Sequence, residues 1–220
     1  NAVDHFNLLR EHEELRIEAQ ATVEIGQMPA WPDALDALEW SRYNDFNLSD
    51  DHFDMLEDSR FARMSPELES FLKIADLQKP VGDPLSALKA LQRGIYDSFE
   101  YEPGVTEVNS PIEVALEQRR GVCQDFAHIM TAIARSWGIP GRYVSGYLYH
   151  KGARDRSAAN ATHAWVEAYL PSLGWVGFDP TNNIMACERH IRAAVGRDYA
   201  DVPPTRGTYK GGADSELSIA

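Results

Sequence analysis

Two periodicities alternate along the chain, and each assigns an element. Residues 14–26 (ELRIEAQATVEIG) alternate apolar and polar side chains, which predicts a half-buried strand with one wet face. A lone strand needs partners, expected upstream of Asn1 or near residues 216–219, so residues 1–30 read as the remnant of a small N-terminal β-region. Residues 31–83 form a helical connecting segment of short stretches broken by Pro32, Pro66 and Asp/Ser clusters, with Ser65-Pro66-Glu67 as one helix start.

The region 84–220 carries the stronger signals. Asp83-Pro84 opens a helix through about Phe99, in which Leu85, Leu88, Leu91 and Ile95 recur at helical spacing. After a break at Glu102-Pro103-Gly104, Ser110 is the expected N-cap and Pro111 the first helical residue of a short helix ending near Arg119. Beyond Gly121, Phe126, Met130, Ile133 and Trp137 share one face of a helix from Cys123 to about Trp137, which Gly138-Ile139-Pro140 stops. Residues 142–149, 162–170 and 175–179 are rich in Val, Tyr and Trp and predict strands. Helices first and sheet second give an α+β layout. Residues 151–160 form a polar loop, and 203–212 an irregular surface segment.

Composition narrows the classes. At 220 residues and 44% hydrophobic, the chain can bury one substantial core. A net charge of −13 repels nucleic-acid phosphates and anionic lipid headgroups, so neither partner is expected. No apolar run reaches the roughly 18 residues of a membrane span. The two cysteines, Cys123 and Cys187, match neither a disulfide framework nor a zinc pattern, and a reducing, cytoplasmic compartment is the simplest expectation. A disulfide between them would silence the nucleophile considered next.

A thiol attacks as its thiolate, which the unsatisfied N–H groups and dipole of a helix start favour, and Cys123 sits at one. Such a nucleophile needs an imidazole to take and return a proton, and a third group to hold that imidazole in one tautomer. His163 and Asp179 lie on neighbouring predicted strands. Pairing them directly centres the turn on Pro171 and sets Trp165 opposite Gly177 and Glu167 opposite Trp175. That register puts His163 and Asp179 on one face and leaves room beside the indole.

Gly121-Val122-Cys123-Gln124-Asp125-Phe126-Ala127, residues 162–167 (THAWVE) and residues 175–182 (WVGFDPTN) resemble the three motif blocks of the transglutaminase-like superfamily, in its order Cys, His, Asp. The resemblance runs from about Pro84 to Gly207 and is nearest to bacterial transglutaminase-like cysteine peptidases. It implies a papain-like fold with the nucleophile helix packed on an antiparallel sheet. It also implies an acyl-transfer enzyme acting on a peptide or protein amide. Water as acceptor makes it a peptidase or amidase, and an amine makes it a transglutaminase. A non-catalytic peptide-binding module is the rival from another class.

Further positions are weighed for substrate or oxyanion contacts. The Cys123 backbone N–H is one oxyanion donor, and Tyr96 or Tyr101 could supply the second. Trp165 and Trp175 are open between core packing and a cleft wall that grips a peptide. Asp198 and Tyr199 could orient an amide substrate or lie in a solvated loop. Asp125 reads as a first-turn acid, His128 as structural, and Cys187 as an inert thiol outside every block. The histidines show no ligand spacing, so neither a metal nor any other cofactor is expected.

Overall fold

Pro66 and Pro84 each open a helix behind a side-chain cap, Ser65 accepting from the Leu68 N–H and Asp83 from the Ser86 N–H. The computed structural model describes residues 5–10, 14–18, 20–26, 30–45, 50–78, 82–150, 155–157, 161–205 and 207. Its helices are α1 (Glu39–Asp45), α2 (Asp50–Phe53), α3 (Pro66–Ile74), α4 (Pro84–Ser98), α5 (Ile112–Gln118) and α6 (Cys123–Ser136). Strands β1 (Glu100–Tyr101) and β2 (Arg120–Gly121) form a short parallel pair. The main sheet contains β3 (Gly141–Leu148), β4 (Thr162–Leu170), β5 (Gly174–Asp179), β6 (Ile184–Met185) and β7 (His190–Gly196), in the antiparallel order β6-β5-β4-β3-β7.

This is the expected α+β architecture, with helices packed on a five-stranded antiparallel sheet. Helix α6 lies between the sheet strands β3 and β4 and the helices α4 and α5. The one-faced apolar pattern understates its burial, because every residue from Asp125 to Arg135 is buried. Small residues such as Ala127, Ala132 and Ala134 let neighbours close in on the faces that Phe126, Met130 and Ile133 do not fill. At its C-terminal end the buried Arg135 guanidinium donates to the carbonyls of Met55, Glu57, Gly141 and Arg197, tying loop, strand and helix together.

Four expectations change. Residues 14–18 and 20–26 form no ladder among the described residues, and Leu15, Ile17, Val23 and Ile25 stay exposed, because alternation makes a strand only where a partner supplies hydrogen bonds. Residues 216–219 lie outside the described residues. Helix α5 starts one residue late: Pro111 is its N-cap, and the Ser110 hydroxyl instead accepts the Glu107 N–H in the turn before it. Strand β7 is absent from the sequence pattern because it is an edge strand carrying Arg192 on a bulged ladder with β3.

The fourth change is the β4–β5 register. Val166 pairs with Phe178, Glu167 with Gly177 and Tyr169 with Trp175, so the turn centres on Ser172 rather than Pro171. Gly174 closes it at φ +77°, and the buried Glu39 carboxylate accepts both the N–H and the hydroxyl of Ser172 at 2.7 and 2.8 Å. That remote anchor has no signature near the turn. A two-residue slip preserves the faces, so His163, Trp165 and Glu167 share one side of β4, with Ala164, Val166 and Ala168 in the main core.

Among the described residues, no helix is long and apolar enough to cross a membrane.

Candidate active site

Cys123 is the first residue of α6 and half-buried, behind an N-cap, Val122, that offers no side-chain acceptor. Asp125, one turn in, supplies it: its carboxylate accepts the Val122 N–H at 2.9 Å and the Thr106 hydroxyl at 2.6 Å. Burial pushes the Asp125 carboxyl up, against those two donors. The carboxylate fills the space a Cβ on Gly121 would take, which lies 2.7 Å from its Oδ2. The strand β2, helix start and thiol therefore stand in one fixed arrangement. Tyr101 pairs with Gly121 across the short parallel ladder, two residues before the thiol. Tyr96 lies on α4 beneath the Arg156 guanidinium, 3.4 Å from the ring centroid, so of the two phenols Tyr101 is the one the ladder ties to the nucleophile loop.

His163 Nε2 lies 2.8 Å from Asp179 Oδ2, and neither side chain is more than 2% exposed. Thr181 and Asn182 donate backbone N–H groups to Asp179 Oδ1 at 3.0 and 3.2 Å, while the Asn182 amide donates to Oδ2 at 2.8 Å. The other imidazole nitrogen, Nδ1, has no closed hydrogen bond among the described residues, yet the Cys123 thiol is near enough to act on the ring. Burial alone would neutralise His163. The Asp179 carboxylate and Cys123 outweigh it and push the imidazole up to about 10. Burial would likewise raise the Asp179 carboxyl, but His163 and His190 hold it well below the usual carboxylate range.

Trp165 is 1% exposed and cannot grip a peptide. It is the floor of the site, its ring 6.1 Å from His163 and 5.1 Å from His190, and its Nε1–H finds no hydrogen-bond partner among the described residues. Room for the indole comes chiefly from Gly146 on β3, where a Cβ would sit 2.7 Å from Cη2, and less from Gly177, where it would sit 3.6 Å from Nε1. Trp175 lies four residues before Asp179 on β5, about 13 Å along the strand. There it carries the Arg142 guanidinium at 4.1 Å and stacks with His52. The two indoles do not form a common cleft wall.

Asp198 and Tyr199 also leave the site. Asp198 is 2% exposed, and its carboxylate accepts the Phe61 and Ala200 N–H groups, both at 2.8 Å, as the cap of the 3-10 turn Tyr199–Asp201. The Tyr199 N–H donates to His128 Nε2 at 3.1 Å. Burial pushes His128 down to about 3, so it stands neutral between Phe61 and Tyr143. The stretch is a packed support, because an N–H from a distant loop needs a buried acceptor there.

Cys187 is not isolated. Its Sγ lies 3.7 Å from His190 Nδ1, and it acts on the Arg189 guanidinium, so an imidazole and a cation flank the second thiol. His190, outside every motif block, also enters the site, its Nε2 3.2 Å from Asp179 Oδ2. His163, Asp179 and His190 bring three donor atoms within 4.8 Å of one another, a spacing a metal ion could use. The hydrogen bonds already satisfy Asp179 Oδ2, however, and account for the cluster without one.

Comparison with known proteins gives a consistent picture. Residues 73–180 match the model of the transglutaminase-like superfamily core. The uncharacterized protein ML0607 of Mycobacterium leprae is 34% identical over 99% of this chain and 76% of its own length. A protein-glutamine gamma-glutamyltransferase of Pseudomonas aeruginosa is 30% identical over 62% of this chain and 22% of its own length. The crystal structure of a candidate cysteine protease from Cytophaga hutchinsonii superposes with a TM-score of 0.58 at 29% identity, covering 71% of this chain and 50% of that one. The chain thus spans half or less of the last two proteins.

Proposed function

The chain belongs to the transglutaminase-like superfamily, and on that premise we propose that it is a cysteine-nucleophile enzyme that cleaves amides through a thioester. The observation that supports this most is the buried His163, whose Nε2 is held by Asp179 at 2.8 Å while its ring also feels the Cys123 thiol.

The reaction begins when the Cys123 thiol passes its proton to His163. The thiolate attacks the substrate carbonyl carbon, and the oxygen takes up the charge near the Cys123 backbone N–H. As the C–N bond breaks, His163 Nδ1 gives its proton to the leaving amine, and a thioester remains on Cys123. Asp179 keeps the ring in place and stabilises its charged form without taking the proton. A water molecule, deprotonated by the now neutral His163, then attacks the thioester and releases a carboxylic acid.

Hydrolysis is the favoured outcome because water competes for any thioester. Transfer to an amine is the second reading, supported by the likeness to the Pseudomonas aeruginosa gamma-glutamyltransferase. Peptide libraries incubated with the protein, with and without an added primary amine, distinguish them by product mass. Cleavage or deamidation marks hydrolysis, and an amine adduct marks transfer. If thiol-directed probes leave Cys123 untouched and no peptide changes mass, the non-catalytic binding module replaces both.

A further inference from the structure

One buried imidazole has no part in the chemistry above. The His190 side chain, at the start of β7, is 2% exposed and points its Nε2 at Asp179 Oδ2, the oxygen that also takes His163 Nε2 and the Asn182 amide. On the far side of the ring, the Cys187 backbone N–H donates to His190 Nδ1 at 3.2 Å. A ring nitrogen that accepts an N–H cannot carry its own hydrogen, so the neutral ring bears its proton on Nε2 and donates it to the carboxylate. A backbone amide in the β6–β7 connection therefore selects the tautomer, and Trp165, edge-on to His190 and inclined 27° to His163, limits both rings.

We propose that His190 is a positioning residue for the same reaction: its Nε2–H holds Asp179 Oδ2 so that the carboxylate stays aimed at His163 Nε2, and His163 Nδ1 consequently stays turned to Cys123. The groups facing it are His163 and Trp165 from β4, Asp179 from β5, and Cys187 from the segment before β7. Without this donor, Oδ2 keeps the Asn182 amide alone, and the aim of the carboxylate at His163 rests on that amide and on the Thr181 and Asn182 N–H groups at Oδ1. The inference rests on the assignment of Cys123 as nucleophile, and its test separates the two.

Cys123 alkylation by iodoacetamide near pH 6 is followed by peptide mass spectrometry in the wild type, His190→Ala and His190→Gln, with His163 titrated by NMR in each. Gln places an amide donor where the imidazole Nε2 stood. His190→Phe, which fills the space but donates nothing, serves if the alanine variant does not fold. Wild-type Cys123 should react faster than free cysteine. His190→Ala or →Phe should slow it about tenfold or more, as expected for losing a hydrogen bond to a charged group, and should lower the His163 titration midpoint. His190→Gln should stay within about threefold of wild type on the same reasoning. Unchanged alkylation and titration in the alanine or phenylalanine variant, or equal losses in the glutamine variant, overturn the positioning role alone. Wild-type Cys123 no faster than free cysteine overturns the nucleophile assignment and this inference with it.

Discussion

His163 and Asp179 meet at 2.8 Å although they are not paired in the β4–β5 ladder, whose register sets Val166 against Phe178. Asp179 reaches its partner diagonally, so its direction depends on the backbone donors of Thr181 and Asn182 as much as on the strand itself.

Asp179→Asn should fold normally yet lose kcat/KM by about a hundredfold or more, because an amide can turn its NH₂ toward His163 and stabilise the wrong tautomer. The same change removes the charge that keeps His163 protonated, so the alkaline limb of the pH–rate profile should move to lower pH. Steady-state kinetics across pH on any cleaved peptide checks both. Near-normal turnover would assign orientation of His163 to another group, with Asn182 tested first.

Stability should peak near neutral pH for two opposed reasons. His163 is raised in the fold from 6.5 to about 10, so its contribution is complete below about pH 6.5 and disappears as pH rises toward 10. His128 is lowered from 6.5 to about 3, so the unfolded chain binds the extra proton and stability falls as pH drops from 6.5 toward 3. Asp179, lowered as well, adds to the acid loss once pH passes below its ordinary range. Urea midpoints against pH should show the peak. His128→Gln, which does not titrate and keeps an acceptor, should flatten the limb between about pH 6 and 4, where one such group gives up to about 1.4 kcal/mol per pH unit.

Gly146→Ala should be costly for a position with no chemistry of its own. Its Cβ would run into the Ile191 carbonyl oxygen and into Trp165, both held by the sheet. Overpacking of this kind costs about 1–3 kcal/mol. Displacing the indole that backs His163 should also lower turnover, whereas Gly26→Ala, whose Cβ meets nothing within 4 Å, should change neither. Thermal unfolding midpoints and turnover of the two variants give the comparison.

The helix start at Cys123 and the shared face of His163 and Asp179 were legible because they rest on local rules: a glycine break before an apolar helix, and a strand period of two that survives a two-residue error in register. What escaped depends on contacts between distant segments. Glu39 sets the β4–β5 turn from α1, Gly146 makes room for Trp165 from β3, and Asp198 is drawn inward by the Phe61 N–H. His190 escaped for the same reason, since β7 joins the sheet beside β3 and yet delivers its first side chain to the end of β5.

Covalent capture of the acyl-enzyme tests the central claim most directly. The protein is mixed with p-nitrophenyl acetate, quenched in acid within the burst and digested for peptide mass spectrometry. A stoichiometric release of p-nitrophenol, with the acetyl group on the Cys123 peptide and no burst in Cys123→Ala, is the predicted result. Acetylation confined to Cys187, or a burst that survives in Cys123→Ala, would contradict the assignment of Cys123 as the nucleophile.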